Sequence, residues 1–345
     1  MAKNKILVTG AAGFIGSHVA RHVATQGYEV VALDDLSGGY EDNVPAGVEF
    51  IQGSILDTKL LDGLFEKHRF QVIYHLAAYA AEGLSHFVRA FNYTNNVVGS
   101  MNLISRAIRN QIPKFIFTSS IAVYGAGQLP MTEELTPRPE DPYGVAKYAV
   151  ELDLEAMHRM FGLQYVIFRP HNVYGEGQNI GDPFRNVVGI FMRQILNGKK
   201  LTIFGDGSQT RAFSHIDDVA PVIARSAWEP QAVNQIFNIG ADKPYSIRGL
   251  AEMVCRAMGA KTEIEYLPAR QEVQHAFSDH GKVRHVFGDQ KYISLESGVQ
   301  RMADWVKKTG LRRSRSLPQI EAWQNLPPSW NQALKEAGQA GAGAR

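Results

Sequence analysis

Gly10-Ala11-Ala12-Gly13-Phe14-Ile15-Gly16 separates a short apolar run, Lys5 to Thr9, from a segment with the character of a helix that extends to Thr25. Glycines at this spacing let the backbone turn sharply, approach a pyrophosphate closely and pack the helix against the strand. The N-terminus of the helix offers amide donors and the positive end of its dipole to phosphate groups. The order of strand, glycine-rich turn and helix therefore predicts a dinucleotide-binding unit.

The next strand indicates which dinucleotide is bound. It covers Tyr28 to Leu33 and ends at Asp34, about 20 residues after the first glycines, where a carboxylate would bind the hydroxyls of the adenosine ribose. No arginine or lysine stands beside Asp34 in the sequence to pair with a 2′-phosphate. We therefore expect NAD rather than NADP.

Strands and helices alternate along the chain as far as Arg169. This alternation predicts an α/β fold, a Rossmann-type doubly wound parallel sheet with right-handed crossovers, whose ligand lies at the carboxyl ends of the strands. The small residues Ala77 and Ala78 would leave room for a cofactor there. Further strands are expected at Val48–Gln52, Val72–Ala77, Lys114–Ser119 and Tyr165–Arg169, and helices at Leu60–Lys67, Asn92–Asn110 and Tyr143–Phe161.

The alternation fails after Asn172, which indicates a smaller, discontinuous α/β lobe that binds the substrate. We assign residues 1–170, with a return segment at about 213–240, to a NAD-binding Rossmann domain, and residues 171–212 and 241–311 to the substrate lobe. Residues 312–345 form a C-terminal extension, whose end, Ala337–Arg345, is expected to be disordered. Later elements are expected at Phe184–Leu196, Leu201–Phe204, Val233–Ile239, Ile247–Met258 and Lys261–Tyr266, with Asp218 as a helix cap.

Composition excludes several classes of function. The 36 Lys and Arg residues against 34 Asp and Glu residues give no basic excess, which argues against nucleic acid or an anionic membrane as a partner. Cys255 is the only cysteine, so the chain can form no internal disulfide, and we expect no metal site. The sequence has no apolar run of about 18 residues, and its polar start does not resemble a signal peptide. We expect a soluble, cytoplasmic protein.

A second informative stretch is Asp141-Pro142-Tyr143-Gly144-Val145-Ala146-Lys147. Asp141 suits an N-cap and Pro142 the first helical position, which places Tyr143 and Lys147 on one face of a helix. An ammonium beside a phenol favours the phenolate, so the tyrosine could act as a base. The alternative from the spacing alone is a packed aromatic ring and a solvated charge.

Taken together, these motifs resemble the extended short-chain dehydrogenase/reductase family, in its nucleotide-sugar epimerase and dehydratase branch. The resemblance runs from about Lys5 to Trp305. Besides the stretches given above, it rests on His75-Leu76-Ala77-Ala78, on Thr118-Ser119-Ser120-Ile121-Ala122-Val123-Tyr124-Gly125, on Arg169-Pro170-His171-Asn172-Val173-Tyr174-Gly175 and on Gly205-Asp206-Gly207-Ser208-Gln209-Thr210-Arg211.

The resemblance implies a catalytic role for three residues. Tyr143 would take the proton of a sugar hydroxyl while C4 of the sugar gives a hydride to NAD. Lys147 would bind the nicotinamide ribose and, with the positive nicotinamide ring, lower the pKa of the tyrosine. Ser120 would hydrogen-bond the reacting oxygen.

The resemblance also implies the binding residues. The substrate is expected to be a nucleotide-diphosphate sugar, with UDP favoured and GDP possible. Arg211 and Arg270 would hold its diphosphate, and Asn172, Ser120 and Tyr143 would contact it. Glu82, in a segment where the chain departs from the family, is a further candidate for contact with the substrate. Ser54 stands where the family has an aspartate near adenine, so that contact could come from the backbone of Ile55. The expected cofactor contacts are Gly10, Gly13, Phe14, Ile15, Gly16, Asp34, Ser54, Ile55, Leu76, Ala77, Ala78, Asn96, Tyr143 and Lys147.

The reaction is inferred from the residues that follow Ser120. Where the dehydratases of the family have an acidic pair, this chain has Ile121 and Ala122, which carry no proton to donate. This favours 4-epimerisation. The segment Tyr79 to Phe87 departs from the family pattern, and Glu82 within it is either a solvated charge or an additional acid or base. In the second case a C3 or C5 epimerase, or a dehydratase, is the alternative.

Two further expectations concern the whole protein. A non-catalytic NAD-binding protein is a minor alternative, against which the intact pair Tyr143 and Lys147 argues. Helices Asn92–Asn110 and Tyr143–Phe161 match those that form a four-helix dimer interface in the family, so the resemblance implies a homodimer.

Overall fold

The computed structural model describes residues 5–269, 273–289, 291–312 and 318–336. Its centre is a parallel sheet of seven strands in the order β11-β6-β5-β4-β1-β2-β3, which confirms the predicted fold class. The strands are β1 (Lys5–Thr9), β2 (Glu29–Asp34), β3 (Glu49–Gln52), β4 (Phe70–His75), β5 (Lys114–Thr118), β6 (Gln164–Pro170), β7 (Val173–Tyr174), β8 (Leu201–Phe204), β9 (Thr210–Ala212), β10 (Ser214–His215), β11 (Gln235–Ile239), β12 (Pro244–Ser246), β13 (Ile264–Leu267) and β14 (His275–Ala276).

Helices cover both faces of this sheet. The α-helices are α1 (Phe14–Thr25), α2 (Thr58–Lys67), α3 (Glu82–Ser85), α4 (Arg89–Tyr93), α5 (Gly99–Arg109), α6 (Pro142–Phe161), α7 (Val187–Leu196), α8 (Ile216–Arg225), α9 (Ile247–Met258), α10 (Gly281–Phe287), α11 (Leu295–Thr309) and α12 (Pro328–Glu336). A π-helix, Thr94–Val98, joins α4 to α5, and 3₁₀ turns lie at Glu41–Asn43, Ile121–Val123, Ser226–Trp228 and Pro230–Ala232.

Strand β1, at the centre of the sheet, shows why helices must pack on both faces of the sheet. Ile6, Leu7 and Val8 are all fully buried. Because successive side chains of a strand point to opposite faces, Ile6 and Val8 pack into the apolar layer beneath α1 and α8, and Leu7 packs into the layer beneath α2, α5 and α6. A strand that is apolar at every position therefore requires two layers of helices.

The part of the chain expected to bind the substrate has an apolar core of its own. Helices α7, α9 and α11 pack around strand β8, and their buried side chains include Phe191, Leu250 and Met302. Strand β8 pairs with β13, and β9 pairs with β12 and β14. This separate cluster is consistent with two lobes, although the boundaries that we drew between them remain a prediction.

Several element boundaries differ from the prediction. The helix expected at Asn92–Asn110 begins at Arg89 and contains the π-helix, and the strand expected at Lys261–Tyr266 covers Ile264–Leu267. The helix expected from Phe184 begins at Val187, because the side chain of Asn186 accepts a hydrogen bond from the Val188 amide at 3.0 Å and caps it. Ala337–Arg345 lies outside the described residues. Within the described ranges, no helix has both the length and the apolar character that a membrane span requires.

Candidate active site

A cavity of about 1630 Å³ lies at the carboxyl ends of the central strands, where the sequence placed the ligand. Most of the predicted site residues line it: Gly10, Gly13, Phe14, Ile15, Gly16, Asp34, Ile55, Leu76, Ala77, Ala78, Glu82, Ser120, Tyr143, Lys147, Asn172 and Arg211. Ser54 and Asn96 are not part of its wall, and Arg270 lies outside the described residues. The fold therefore collects, at one edge of the sheet, residues from both predicted lobes.

Two glycines of the glycine-rich turn pack directly against backbone atoms of neighbouring residues. Gly10 has a φ of +70°, and a Cβ atom there would lie 2.6 Å from the amide nitrogen of Ala77. A Cβ atom on Gly16 would lie 2.0 Å from the carbonyl oxygen of Gly10. Only glycine fits these two positions without a shift of the backbone.

The start of α1 suits a phosphate. Its N-cap is Gly13, which has no side chain to cap the first amides of the helix. Asp34 braces the turn from the end of β2, since its carboxylate accepts hydrogen bonds from the amides of Ala12 at 3.0 Å and Leu36 at 2.7 Å. Burial raises the pKa of Asp34, and these two hydrogen bonds oppose that shift. The arrangement fits a dinucleotide, with donors for its pyrophosphate and a carboxylate for a ribose.

Two unpartnered hydroxyl groups lie deeper in the same cavity. The side-chain oxygens of Thr118 and Ser119, at the end of β5, are buried and have no hydrogen-bond partner within the described part of the chain. A buried polar atom without a partner costs free energy unless a ligand or water meets it. These two oxygens are therefore candidate contacts for a polar ligand in the cavity.

The helix α6 begins as the sequence predicted. Asp141 is its N-cap, accepting a hydrogen bond from the Gly144 amide at 2.9 Å, and Pro142 is the first residue. Tyr143 and Lys147 follow, 8% and 3% exposed, and both line the cavity. The ammonium nitrogen of Lys147 lies 5.8 Å from the centroid of the Tyr143 ring.

Ser120 completes this group from the end of β5. Its hydroxyl oxygen accepts a hydrogen bond from the Ala122 amide at 3.1 Å and interacts with the phenol of Tyr143. The structure thus brings together Ser120, Tyr143 and Lys147, which lie up to 27 residues apart in the sequence. A hydroxyl, a phenol and an amine at one place can together bind and deprotonate an alcohol.

The pKa of Tyr143 shifts upward in the protein, whereas the lysine on the same helix face led us to expect a lower value. Burial raises the pKa of Tyr143 well above its ordinary value, and the hydrogen bond with Ser120 only partly opposes this. Burial also lowers the pKa of Lys147 to about 7, against the charge of Glu151, which raises it. The groups of the protein alone therefore do not lower the tyrosine pKa, because burial of the phenol outweighs them.

A buried ion pair lies behind Lys147, and the sequence analysis missed it. Glu151 and Arg169 are 1% and 2% exposed. Arg169 donates from Nε to Glu151 at 3.0 Å and from Nη1 to the Tyr124 hydroxyl at 2.8 Å. Glu151 stands four residues after Lys147 on the same helix face, which was the one available signal.

The segment that departs from the family pattern packs directly against Tyr143. Ser85 accepts a hydrogen bond from the Tyr143 amide at 3.2 Å and donates one to the Glu82 carbonyl oxygen at 2.6 Å. Asn92 donates to the Pro142 carbonyl oxygen at 2.8 Å. Glu82 itself is exposed and lies on the cavity wall.

Two residues predicted to contact the cofactor, Asn96 and Ser54, form hydrogen bonds with the backbone around them. Asn96 accepts a hydrogen bond from the Tyr79 amide at 2.9 Å and donates to the Tyr79 carbonyl oxygen at 3.0 Å, so it holds the chain that lines the cavity. The hydroxyl oxygen of Ser54 accepts from the Leu56 amide at 3.2 Å and shapes a turn, while Ile55 reaches the wall.

The predicted substrate residues also bond to backbone. The guanidinium group of Arg211 donates to the carbonyl oxygens of Thr210, Val273 and Gln274, while Asn172 donates to that of Ala212. Sequence reasoning assigned no role to other cationic side chains on the same wall, because nothing in their spacing marks a site. They are Arg185, Arg193, Lys199 and Lys200.

Comparison with known proteins agrees with this geometry. The profile of the NAD dependent epimerase/dehydratase family matches residues 6–240. UDP-glucose 4-epimerase from Mycolicibacterium smegmatis is 35% identical over 313 residues, which cover 88% of this chain and 98% of the relative. The crystal structure of UDP-glucose 4-epimerase from Thermotoga maritima with UDP-glucose is 35% identical, with a TM-score of 0.83 over 88% of this chain and 99% of that chain. UDP-glucuronic acid 4-epimerase from Bacillus cereus, in complex with UDP-glucuronic acid and NAD, is 31% identical, with a TM-score of 0.78 over 88% and 99%.

Proposed function

Because the chain belongs to the NAD-dependent epimerase/dehydratase family, whose enzymes act on nucleotide sugars, we propose that it is a nucleotide-sugar 4-epimerase. Its cofactor is NAD. The observation that carries the proposal is the meeting of Ser120, Tyr143 and Lys147 on one cavity wall, beside Ile121 and Ala122. The last two lie in the short 3₁₀ turn after Ser120 and have no side-chain proton to give, at the positions where the dehydratases of the family carry an acidic pair.

In this proposal Tyr143 is the base. It takes the proton of the C4 hydroxyl, and Ser120 hydrogen-bonds the same oxygen and steadies the charge on it. When bound, NAD would supply an acceptor and donor of the C4 hydride, and the positive charge of its nicotinamide ring would lower the pKa of a nearby phenol. Tyr143 then gives the proton back to the keto-sugar oxygen after the sugar has turned over, so the reaction is redox-neutral.

The pKa of Tyr143 supports a role for that positive ring. Burial raises the tyrosine pKa in the protein, and Lys147, with its own pKa lowered to about 7, is a weak source of positive charge at neutral pH. The phenol therefore becomes a base chiefly when a further positive charge lies close to it. Such a design restricts proton abstraction to the cofactor-bound state.

The residues that would hold the cofactor come from three parts of the fold. The turn from Gly10 to Gly16 and the first amides of α1 would bind the pyrophosphate, and Asp34 would bind the adenosine ribose. Lys147 would bind the nicotinamide ribose. Its Nζ already donates to the Thr118 carbonyl oxygen at 2.8 Å, which fixes the position of the amine on the cavity wall.

A UDP-sugar is the favoured substrate, since solved relatives contain UDP-glucose and UDP-glucuronic acid. The cavity wall also carries Arg211, Arg193, Lys199 and Lys200, whose positive charges suit a diphosphate.

The test is direct. Purified protein is incubated with UDP-glucose, UDP-N-acetylglucosamine, UDP-glucuronate and GDP-mannose, and the products are separated by chromatography. We expect interconversion of C4 epimers for at least one UDP-sugar, and failure with all four would contradict the proposal. Tyr143→Phe should lower kcat by at least about 100-fold, the contribution of a general base, while Tyr148→Phe, one turn further along α6, should not.

A second candidate function rests on the exposed Glu82. Its charge raises the pKa of Tyr143, so the carboxylate acts on the phenol electrostatically and faces the same cavity. As an acid or base near the sugar it would support C3 or C5 epimerisation, or a dehydration. Turnover in deuterium oxide distinguishes the two, because 4-epimerisation returns the same hydride, whereas this alternative places solvent deuterium at C3 or C5.

A further inference from the structure

Residues 318–336, which we call the C-terminal segment, lie beyond Trp305, where the resemblance to the family ends. The segment packs on the helical stretch before and within α4. Ile320 and Leu334 are 5% and 0% exposed, in one apolar cluster with Leu84 and Val88. The segment is thus an integral layer of the fold.

Glu321 fixes the position of this layer. Its carboxylate accepts hydrogen bonds from the amides of Ala90 at 2.9 Å and Phe91 at 3.0 Å, and its own amide donates to the Phe87 carbonyl oxygen at 2.8 Å. Helix α4 has no side-chain cap from its own N-cap, Val88. A carboxylate more than 200 residues away in the sequence caps it instead, where negative charge also meets the positive end of the helix dipole.

Trp330 joins two sides of the cavity. Its ring packs edge to face on Phe87, with centroids 6.1 Å apart, and on Phe184, with centroids 5.1 Å apart. Phe87 belongs to the stretch before α4 and Phe184 to the loop before α7, and all three residues line the cavity. The segment therefore connects parts of the wall that belong to the two predicted lobes.

The side of the cavity that the segment joins is the side of Tyr143. The stretch that it covers includes Ser85, bonded to the Tyr143 amide, and Asn92, bonded to the Pro142 carbonyl oxygen. A sugar whose C4 hydroxyl contacts Tyr143 would place its other ring substituents near the part of the wall that the C-terminal segment covers. This step rests on the proposed function.

The segment also contributes polar side chains to the wall. Gln324, Asn325 and Ser329 line the cavity together with Glu82 and His86. The two amides and the hydroxyl can donate hydrogen bonds to a carbonyl oxygen. We propose that the C-terminal segment forms the sugar end of the substrate site and selects nucleotide sugars whose hexose carries an additional carbonyl-bearing substituent, an acetamido or a carboxylate group, over a plain hexose.

The first test uses the full-length protein with NAD bound. Hydrogen exchange of the C-terminal segment is followed with UDP alone, with UDP-glucose, with UDP-N-acetylglucosamine and with UDP-glucuronate. We expect the segment to be protected by the two substituted sugars more than by UDP-glucose, and by UDP-glucose more than by UDP. Protection around Arg211 without any in the segment overturns this inference and leaves the proposed function standing. If UDP-sugars protect nothing, both are wrong.

The second test measures selectivity. The double variant Gln324→Ala, Asn325→Gly removes both amides, and glycine accepts the φ of +62° that Asn325 adopts. We expect kcat/KM for the preferred substituted sugar, relative to UDP-glucose, to fall about tenfold, which corresponds to the loss of one or two ordinary hydrogen bonds. The comparison of the acetamido and carboxylate sugars shows which one the amides recognise.

Gln300→Ala is the matched control, because Gln300 is an exposed amide on α11 that bonds to Asp304. It should leave the ratio unchanged. A ratio in the double variant that stays within about twofold of the wild-type value overturns the proposal, since a merely structural layer would change the activity on all sugars together.

Discussion

Lys147 stands one helical turn after Tyr143, with its Nζ 5.8 Å from the centroid of the phenol ring, yet it donates its hydrogen bond to the carbonyl oxygen of Thr118 at 2.8 Å. The amine therefore lies close to the phenol and anchors α6 to the end of β5. Both side chains are buried, and burial raises the pKa of the phenol and lowers the pKa of the amine. Under the proposed function, the phenol therefore needs a further positive charge close to it before it can act as a base.

The first prediction concerns stability and pH. Burial lowers the pKa of Lys147 from 10.5 to about 7, so between about pH 7 and about pH 10.5 the unfolded chain binds more protons than the folded one. The contribution of this group to the free energy of unfolding therefore rises with pH across that window, by at most about 1.4 kcal/mol per pH unit, and is constant below it.

Urea unfolding at about pH 7.5 and about pH 9.5 measures this effect. The difference in stability between wild type and Lys147→Met should become more favourable to the wild type as the pH rises. Replacement of the exposed Lys59 by Met serves as a control that leaves the pH dependence unchanged. An identical pH dependence in wild type and Lys147→Met would contradict the prediction.

The second prediction concerns the buried pair of Glu151 and Arg169. Glu151→Leu leaves the guanidinium group without its counter-charge, and we expect a loss of about 3–5 kcal/mol in the free energy of unfolding. Arg169→Met should cost a similar amount, and the double variant less than the sum of the two, because no isolated charge then remains buried. Arg159→Met, which breaks an exposed pair with Glu155 at 3.8 Å, should cost less than about 1 kcal/mol. Additive losses in the urea-unfolding cycle would show that the two side chains do not stabilise each other.

The sequence was informative where the chemistry is local. The turn at Gly10, the cap at Asp141 and the pair of Tyr143 and Lys147 each depend on spacings of a few residues, and each lies in the structure where the spacing predicts. Asp218 was expected to cap a helix, but His215 occupies the N-cap position and Asp218 accepts a hydrogen bond from the amide of Ile293 at 3.1 Å.

Contacts between distant parts of the chain could not be predicted in this way. The bond of Arg169 to Glu151 joins β6 to α6, and Glu321 caps a helix that begins at Arg89. No periodicity or spacing links such residues, because their proximity results from how the whole fold packs. The same reason explains why the C-terminal segment carried no functional signal in the sequence although it lines the cavity.

The third prediction concerns assembly. Val145 and Leu152 on α6 are 38% and 47% exposed, and Val98, on the neighbouring helical stretch, is 50% exposed. Apolar side chains on adjacent helices suit a helix-to-helix interface. We expect a homodimer in light scattering at micromolar concentration and a monomer for Leu152→Glu. Leu196→Glu, at a leucine 38% exposed on α7, should remain dimeric. A monomeric wild-type protein, or a dimeric Leu152→Glu variant, would contradict this.

The fourth prediction concerns the choice of cofactor. Asp34 is 9% exposed, lines the cavity and accepts hydrogen bonds from the amides of Ala12 and Leu36. A 2′-phosphate at this position would meet the carboxylate, and like charges in a partly buried site repel. We expect NADH to bind at least about 100-fold more tightly than NADPH, a difference of about 2.7 kcal/mol. The measurement is a titration of nicotinamide fluorescence.

Asp34→Asn should reduce this preference by about tenfold, since it removes the charge and keeps an oxygen acceptor for one of the two amides. The preference should fall because Asp34→Asn weakens the binding of NADH and also strengthens the binding of NADPH. The stronger binding of NADPH is the change that reports relief of the repulsion between the carboxylate and the 2′-phosphate. Asp57→Asn is the control, as Asp57 caps α2 through the amides of Lys59 and Leu60 and an asparagine can cap there equally well. If Asp34→Asn weakens both cofactors by the same factor, the carboxylate acts only through the turn that it braces, and the preference for NAD has another origin.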